Sequence, residues 1–254
     1  TGVEMAGSIA ELARHALARD FRHIDPRQAR ILLVEAGPRL LAAFPETLAD
    51  YARTALERLG VTVITGQVVE SIEPGAVTIA GKRIEAGTIV WGAGVKASDA
   101  GRWLGVERAK DGRVPVNPDL SVKGAPDIFV LGDMALCLDE KGVPLPALAQ
   151  VAKQQGTHLG KALAANLKHG TLLTPFRFHD RGNTAIVGRN AAVFDFGWLR
   201  LKGRLAWLLW AFVHVYLLVG FENRMRVSLQ WAWRYLTYEN GARLILPPGD
   251  RAHP

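Results

Sequence analysis

Hydrophobic and polar positions alternate between helical and strand-like periods over the first two-thirds of the chain. Residues 3–18, rich in alanine, leucine and glutamate, predict a helix, and the apolar run at 31–34, which ends at Glu35, predicts a buried strand. Residues 46–59 predict a second, amphipathic helix, which Gly60 closes. Strands that alternate with helices imply the α/β class, with a mostly parallel sheet and right-handed crossovers.

Short runs of β-branched residues predict further strands at residues 61–64, 68–72, 77–79, 88–91, 128–131, 184–187 and 192–196. The close spacing of the first four indicates a small antiparallel layer within the α/β scheme. Residues 94–126 predict a loop region, 146–166 a long helix, and 205–238 an aromatic helical segment.

The composition excludes several classes of protein. With 49% hydrophobic residues and a net charge of +7 over 254 residues, the chain is too apolar and too weakly charged for intrinsic disorder. Cys137 is the only cysteine, so an internal disulfide and a four-cysteine zinc site are excluded, and we predict no metal site. Residues 1–10 do not resemble a secretory signal and include no initiator methionine, so we expect the chain to begin inside a longer protein.

Basic and aromatic residues concentrate near the end of the chain. Residues 198–236 hold six basic side chains against one acidic, and five of the seven tryptophans. This combination suits a lipid–water boundary better than a nucleic acid, for which no binding motif is present. Residues 205–221 could span a bilayer, form a core helix, or begin an interfacial helix pair. We favour the interfacial pair, because His214 and Gly220 oppose spanning and a core helix needs fewer tryptophans and arginines.

Two features indicate a dinucleotide ligand. The opening TGVEMAG is similar to the end of a G-x-G-x-x-G loop, in which Gly2 would be the last glycine; an ordinary helix start is the alternative. Glu35 at a strand end could accept hydrogen bonds from both ribose hydroxyls of an adenosine and repel a 2′-phosphate, which favours NADH over NADPH. A solvated strand-end acid is the alternative explanation for Glu35.

Five segments together resemble a known family, and in chain order they are TGVEMAG, VEAGPRLL, VWGAGV, FVLGDMA and PALAQVAKQQG. The resemblance is to type II NADH dehydrogenases, the single-subunit NADH:quinone oxidoreductases of the two-dinucleotide-binding flavoprotein superfamily. It runs from Thr1 to about Tyr238, and the AQxAxQxG element is its most specific part. The resemblance implies a Rossmann-like three-layer fold, truncated at the N-terminus, with C-terminal amphipathic membrane-binding helices.

The resemblance assigns FAD and NADH as cofactors. Gly132 and Asp133 match the second flavin motif, in which the acid bonds the ribityl chain; a capped turn is the alternative. Ala93 and Gly94, with Gly92, form a bend that lets the backbone approach the nicotinamide and flavin, unless it is a plain turn.

The same resemblance assigns a quinone site. Gln150 and Gln154 lie four apart, hence on one helix face, where their amides could donate to a quinone carbonyl; a solvated pair is the alternative. Ala149 and Gln150 are also expected to line the cofactor. Glu4 resembles the family acid that delivers protons or positions substrate, although a first-turn glutamate also suits the helix dipole.

We expect NADH oxidation through FAD with reduction of ubiquinone or menaquinone, and no proton pumping. The expected domains are residues 1–95 for NADH, 96–197 for FAD and quinone, and 198–254 for the membrane. We expect the protein to bind the cytoplasmic face of the inner membrane through Lys202, Arg204, Trp207, Trp210, Arg224 and Trp231. The sequence is compatible with both a monomer and a homodimer. The alternatives are another FAD-dependent NAD(P)H reductase and a non-enzymatic NAD-binding membrane protein.

Overall fold

We describe the fold from a computed structural model, which describes residues 1–17, 21, 23–217 and 220–237. The helices are α1 (Gly2–Glu11), α2 (Glu46–Arg58), α3 (Ala100–Trp103), α4 (Ala149–His169), α5 (Arg204–Leu217) and α6 (Phe221–Thr237). The strands are β1 (Ile31–Glu35), β2 (Val61–Thr65), β3 (Val69–Glu73), β4 (Ala76–Ile79), β5 (Lys82–Glu85), β6 (Val114–Pro115), β7 (Ser121–Val122), β8 (Ala125–Phe129), β9 (Ala135–Leu136), β10 (Asn183–Gly188), β11 (Ala191–Asp195) and β12 (Arg200–Gly203).

The chain divides into two compact units. The first unit combines Thr1–Ala93 with Gly182–Pro254, and the second unit is Gly94–Arg181. Strands β10 to β12 thus belong with the N-terminal residues, because they pack against α1 and α2. The domain limits expected from the sequence, 1–95, 96–197 and 198–254, concern cofactor binding and stay a prediction.

A parallel strand pair with a connecting helix lies at the centre of the first unit. β1 and β2 pair in parallel, from Ile31 opposite Val61 to Glu35 opposite Thr65, and α2 connects them. Leu56 on α2 is fully buried and packs with the apolar side chains around β2. The predicted strand at 31–34, the helix at 46–59 and the parallel α/β arrangement are therefore confirmed. The helix predicted from residue 3 is found as α1 and a following π-helical turn, Leu12–Ala16; its last position, 18, lies outside the described residues.

The antiparallel layer predicted between residues 61 and 91 is found in part. Two of its four strands are present as β3 and β4, whereas residues 61–64 form β2 of the parallel pair. β3, β4 and β5 pair in that order. The sequence prediction missed β5, because Lys82, Arg83 and Glu85 leave only one apolar residue in it. The strand predicted at 88–91 is wrong: this apolar run pairs with none of the described strands, and Val90 and Trp91 are exposed.

Helix α1 packs on β10 with almost no side chain between the two backbones. Gly7 faces Val187 so closely that a methyl group at Gly7 would overlap the Val187 carbonyl oxygen. The other buried positions of α1 are also small or β-branched, namely Val3, Ala6 and Ala10. The absence of a side chain at Gly7 therefore sets the distance between the helix and the sheet.

A cluster around Arg189 joins the end of α6 to the turn between β10 and β11. The Arg189 guanidinium lies 4.2 Å from the centre of the Tyr235 ring and donates a hydrogen bond to the Tyr235 carbonyl. The Tyr235 hydroxyl donates to Asn190 Oδ1 at 3.1 Å, and the Arg189 backbone N–H donates to the Glu11 carboxylate. The cluster thus connects α6 with the last residue of α1.

The second unit is built from short strands and one long helix. β6 pairs with β9 in parallel and β7 pairs with β8 antiparallel, so part of the predicted loop region 94–126 is ordered as strands. Helix α4 begins at Ala149, three residues later than predicted, because Leu148 is extended. It ends at His169, and Gly170, with a left-handed φ of 65° and an N–H bond to the Asn166 carbonyl, forms its C-cap. Buried side chains of α4 and of the strands share one core.

Two glycine-to-alanine substitutions in helices should have opposite effects on stability. Gly160 in α4 has open space where a methyl would go, so Gly160→Ala should stabilise the protein by about 1 kcal/mol through helix propensity. Gly7→Ala should instead cost about 1–3 kcal/mol, because α1 must move away from β10. Thermal unfolding followed by circular dichroism measures both. A rise in Tm for Gly7→Ala would contradict the close packing of α1.

Candidate functional site

The carboxyl ends of the two parallel strands carry the candidate ribose-binding acid. Glu35 is the last residue of β1 and is half-buried. Its Oε1 accepts a hydrogen bond of 2.8 Å from the Gly37 backbone N–H, and the Gly37 carbonyl accepts from the Gly66 N–H at 2.8 Å. The loop after β1 thus holds the carboxylate at the edge where α/β sheets bind nucleotides.

The start of α1 lies beside β1 and Gly92. A methyl group at Gly2 would lie 3.4 Å from Leu33 Cδ1, so the helix begins in close contact with β1. A methyl at Gly92 would lie 3.6 Å from Gly2 Cα. Glu4 is half-exposed in the first turn of this helix. Gly2 and Gly92 are therefore close together, and Ala93 follows Gly92 with its side chain exposed.

In the second unit, the Gly132–Asp133 turn sits against α4. Gly132 has φ of +69°, and a methyl group there would lie 3.2 Å from the Ala152 methyl. Both observations explain why this position is glycine. The Gly132 N–H donates a hydrogen bond of 2.6 Å to Gln155 Oε1. Asp133 follows as an exposed residue at the mouth of a cavity.

The cavity beside Asp133 has a volume of about 300 Å³, and its lining includes Val95, Ala97, Arg113, Leu145 and Pro146. Arg113 shapes its wall, since this side chain donates to Asp111 at 2.7 Å and to the Leu145 carbonyl at 3.0 Å. Hydrogen bonds from the Arg113 backbone and side chain lower the pKa of Asp111. An ionised carboxylate therefore keeps Arg113 in place at neutral pH. A carboxylate, a guanidinium and apolar walls suit a ligand with hydroxyl groups and an aromatic ring.

Gln150 and Gln154 both contact the segment 179–181. Gln154 makes two bonds to His179, donating to its carbonyl at 2.9 Å and accepting from its N–H at 3.0 Å. Gln150 Oε1 accepts from the Arg181 N–H at 3.2 Å. The two amides thus lie on one side of α4, and each supports the backbone of this segment. Ala149, the first residue of the helix, is exposed.

Gln155 was missed by the sequence analysis. It is 1% exposed and lies on the buried face of α4 between Val151 and Leu159. The four-residue spacing of these three positions is the signal that could have found it, because it places Gln155 in an apolar row. Neighbouring Gln154 points about 100° away around the helix, toward His179.

The C-terminal helices present an exposed apolar surface, here called the apolar face. It runs along both helices at helical spacing and consists of Leu205, Leu208, Phe212, Tyr216, Phe221, Met225, Leu229, Trp233 and Leu236. Gly220, with φ of +84°, directly precedes α6. Among the residues described, no helix combines the length and the apolar character needed to cross a bilayer.

The residues expected at the membrane fall into two groups. Trp210 and Trp231 stack on each other between α5 and α6, with ring centres 5.6 Å apart, and Trp207 lies 5.4 Å from Tyr235. These three tryptophans hold the helices together. The basic residues are nearer the surface: Arg204 is exposed, the Lys202 ammonium lies over the Tyr51 ring, and the Arg224 guanidinium lies over the Tyr216 ring. The apolar face is made by residues other than the three tryptophans that the sequence analysis named.

Known proteins match both units. The family model for pyridine nucleotide-disulphide oxidoreductases matches residues 1–156. The type II NADH:quinone oxidoreductase Ndh of Mycobacterium tuberculosis is 38% identical over 256 residues, which covers 96% of this chain and 54% of that protein. The internal alternative NAD(P)H-ubiquinone oxidoreductase A1 of Arabidopsis thaliana is 29% identical, covering 91% of this chain and 48% of that protein. The chain thus spans about half the length of these curated relatives.

A solved structure shares the fold. NDH2 from Plasmodium falciparum, in complex with NADH, superimposes with a TM-score of 0.79 at 16% identity, over 92% of this chain and 63% of that chain. The resemblance to type II NADH:quinone oxidoreductases that the motifs indicate is therefore confirmed along nearly the whole chain. By the family model, which matches more than half of its residues, the chain belongs to the pyridine nucleotide-disulphide oxidoreductase family.

Proposed function

We propose that this protein oxidises NADH and reduces a membrane quinone, without proton pumping and with FAD as its resident cofactor. The observation that carries the proposal is 38% identity, over 96% of the chain, to a protein named for this reaction. FAD would supply the redox chemistry that joins the two substrates, while the protein binds and orients them. Ubiquinone and menaquinone are both acceptable acceptors under this proposal.

Glu35 and the start of α1 would bind NADH. The Glu35 carboxylate, oriented by the Gly37 N–H, would accept hydrogen bonds from the adenosine ribose hydroxyls. Backbone N–H groups at the start of α1, near Gly2, would face the pyrophosphate. Ala93 and Gly94 would form the bend along the nicotinamide. Glu4, half-exposed in the first turn of α1, would hold or deliver a proton at its carboxylate.

Gly132 and Asp133 would hold the flavin. The residues fit such a group, because the Asp133 carboxylate lines a cavity whose other walls are largely apolar. Asp133 would accept hydrogen bonds from ribityl hydroxyls, and Gly132 would let the backbone come close. Ala149 and Gln150, at the start of α4, would also line the flavin.

Gln150 and Gln154 would form the quinone site together with the segment 179–181 that they support. Their amides already bond this segment, so we infer that they shape the site as well as contact the quinone. The alternative functions, another FAD-dependent NAD(P)H reductase or a non-enzymatic NAD-binding membrane protein, predict no quinone turnover. A flavin absorbance spectrum in the purified protein would contradict the second of these.

The apolar face would lie in the interface of one membrane leaflet. Helices of this kind bury their apolar side at the boundary between headgroups and acyl chains. Lys202, Arg204 and Arg224 would meet lipid phosphates, at about 1 kcal/mol for each residue near an anionic surface. Trp207, Trp210 and Trp231 would keep the two helices together as they bind. The expected surface is the cytoplasmic side of the inner membrane, for a monomer or a homodimer.

Replacing the ribose-binding acid should change cofactor preference. Glu35→Ala should raise KM for NADH by roughly tenfold or more, because charge-assisted hydrogen bonds to the ribose are lost. The substitution should also reduce the preference for NADH over NADPH. Steady-state kinetics with both cofactors measures this, with exposed Glu85→Ala as the matched control. Equal use of NADH and NADPH by the unmodified protein would refute the role of Glu35.

Replacing the α4 glutamines should affect one half-reaction more than the other. Gln154→Ala or Gln150→Ala should slow quinone reduction more than flavin reduction by NADH, because both amides support the acceptor side. Stopped-flow absorbance separates the two steps, and Lys153→Ala, exposed on the same helix, serves as the control. Equal slowing of both steps would leave the glutamines with a structural role.

Polar substitutions on the apolar face should weaken membrane binding. Leu208→Ser, Phe212→Ser and Leu229→Ser combined remove exposed apolar area, which contributes roughly 25 cal/mol per Å² when buried in lipid. Deleting all residues after 197 is a poorer test, since it removes β12 and the buried Ala206.

Sedimentation with anionic liposomes measures the binding. The unmodified protein should be only partly released by high salt, and the triple variant almost completely. Leu167→Ser with Leu172→Ser, both exposed in the second unit, is the matched control. A triple variant that sediments like the unmodified protein at high salt would exclude the apolar face as the anchor.

A further inference from the structure

We propose that Gln155 is a positioning residue that fixes the Gly132–Asp133 turn in the shape required for flavin binding. The proposal rests on the proposed function, in which Asp133 faces FAD. Gln155 itself is buried in the second unit and is not among the residues that line the cavity.

The burial of Gln155 calls for a specific role. It is one of two buried polar residues in the described part of the chain, the other being Ser121. Its neighbours one turn away, Val151 and Leu159, are apolar, and a leucine would fit the same row. A buried amide destabilises the fold unless its oxygen and nitrogen are both hydrogen-bonded. The bonds that Gln155 makes should therefore explain its presence.

The first bond holds the residue before Asp133. Gln155 Oε1 accepts from the Gly132 N–H at 2.6 Å. The methyl group of Ala152, three residues earlier on the same face of α4, lies against Gly132 where a Cβ would otherwise be. Helix α4 thus fixes Gly132 at two points, and the left-handed φ of this glycine leaves its N–H directed at the helix.

The second bond holds the other end of the same segment. Cys137, which directly follows β9, donates a hydrogen bond of 3.8 Å from its thiol to the Leu138 carbonyl, and a hydrogen bond from the Gln155 side chain acts to lower the pKa of this thiol. Burial raises the pKa of the Cys137 thiol, which therefore stays neutral and accepts an amide N–H without a buried charge. The Gln155 amide therefore lies beside both Gly132 and Cys137, and Asp133 lies between these two residues in the chain.

A matched set of variants tests the proposal on the flavin-loaded protein. Gln155→Met keeps the volume but removes the acceptor for the Gly132 N–H, and Gln155→Glu keeps an acceptor oxygen. Leu159→Ala, one turn further on the same buried face, is the control for loss of core packing. The measurements are FAD retention on dilution, the flavin absorbance spectrum, Tm, and amide hydrogen exchange at Gly132.

We expect Gln155→Met to weaken FAD retention by about tenfold relative to Leu159→Ala, at equal or smaller loss of Tm. Gln155→Glu should retain more FAD than Gln155→Met. Faster exchange at Gly132 should appear in Gln155→Met and not in Leu159→Ala. Equal FAD retention by Gln155→Met and Leu159→Ala would overturn the proposal, because Gln155 would then act only through packing.

Failure of the proposed function can be distinguished from failure of the role of Gln155. An unmodified protein that binds no flavin would overturn the assignment of Asp133. The exchange rate at Gly132 needs no flavin, so it still decides whether Gln155 holds the turn. Unchanged exchange in Gln155→Met would overturn the positioning role whatever the flavin result.

Discussion

The contact between α1 and β10 is the constraint on which the first unit depends. A helix normally stands off from a sheet by the thickness of its side chains, whereas Gly7 brings α1 directly onto the Val187 backbone. The same helix begins at Gly2, in contact with Leu33 of β1. Because the helix is fixed at its start and in its middle, the position of its first turn follows from packing, and a nucleotide at the ends of β1 and β2 would meet a preformed surface.

Helix α4 has a comparable role in the second unit, where consecutive glutamines serve different neighbours. Gln154 bonds His179 and Gln155 bonds Gly132. Adjacent positions on a helix point about 100° apart, so one rigid element controls two backbone segments. A displacement of α4 would therefore move both segments together. Where the helix approaches the Gly132 turn most closely, its side chain is the small Ala152.

Local patterns predicted most of the regular structure, because the parallel pair, α2 and the antiparallel layer follow from apolar periodicity and glycine positions. They failed where neighbours distant in sequence decide the outcome. Residues 88–91 look like a strand yet pair with none of the described strands, and the charged β5 becomes a strand through β4. Motif resemblance identified Gln150 and Gln154, but Gln155 differs from them only in what surrounds it. Residue type alone does not reveal burial.

The close contact of α1 with β10 also has a consequence for how the chain folds. Its partners are separated by about 180 residues, and the whole second unit lies between them in sequence. Contacts of such high sequence separation form slowly, since a long loop must close before they contribute. On a ribosome, residues 1–93 emerge before the second unit but lack β10 until Gly188 has been made. The second unit, contiguous in sequence, has all its own residues available earlier, so residues 1–93 are made before the second unit but belong to the unit that is completed after it.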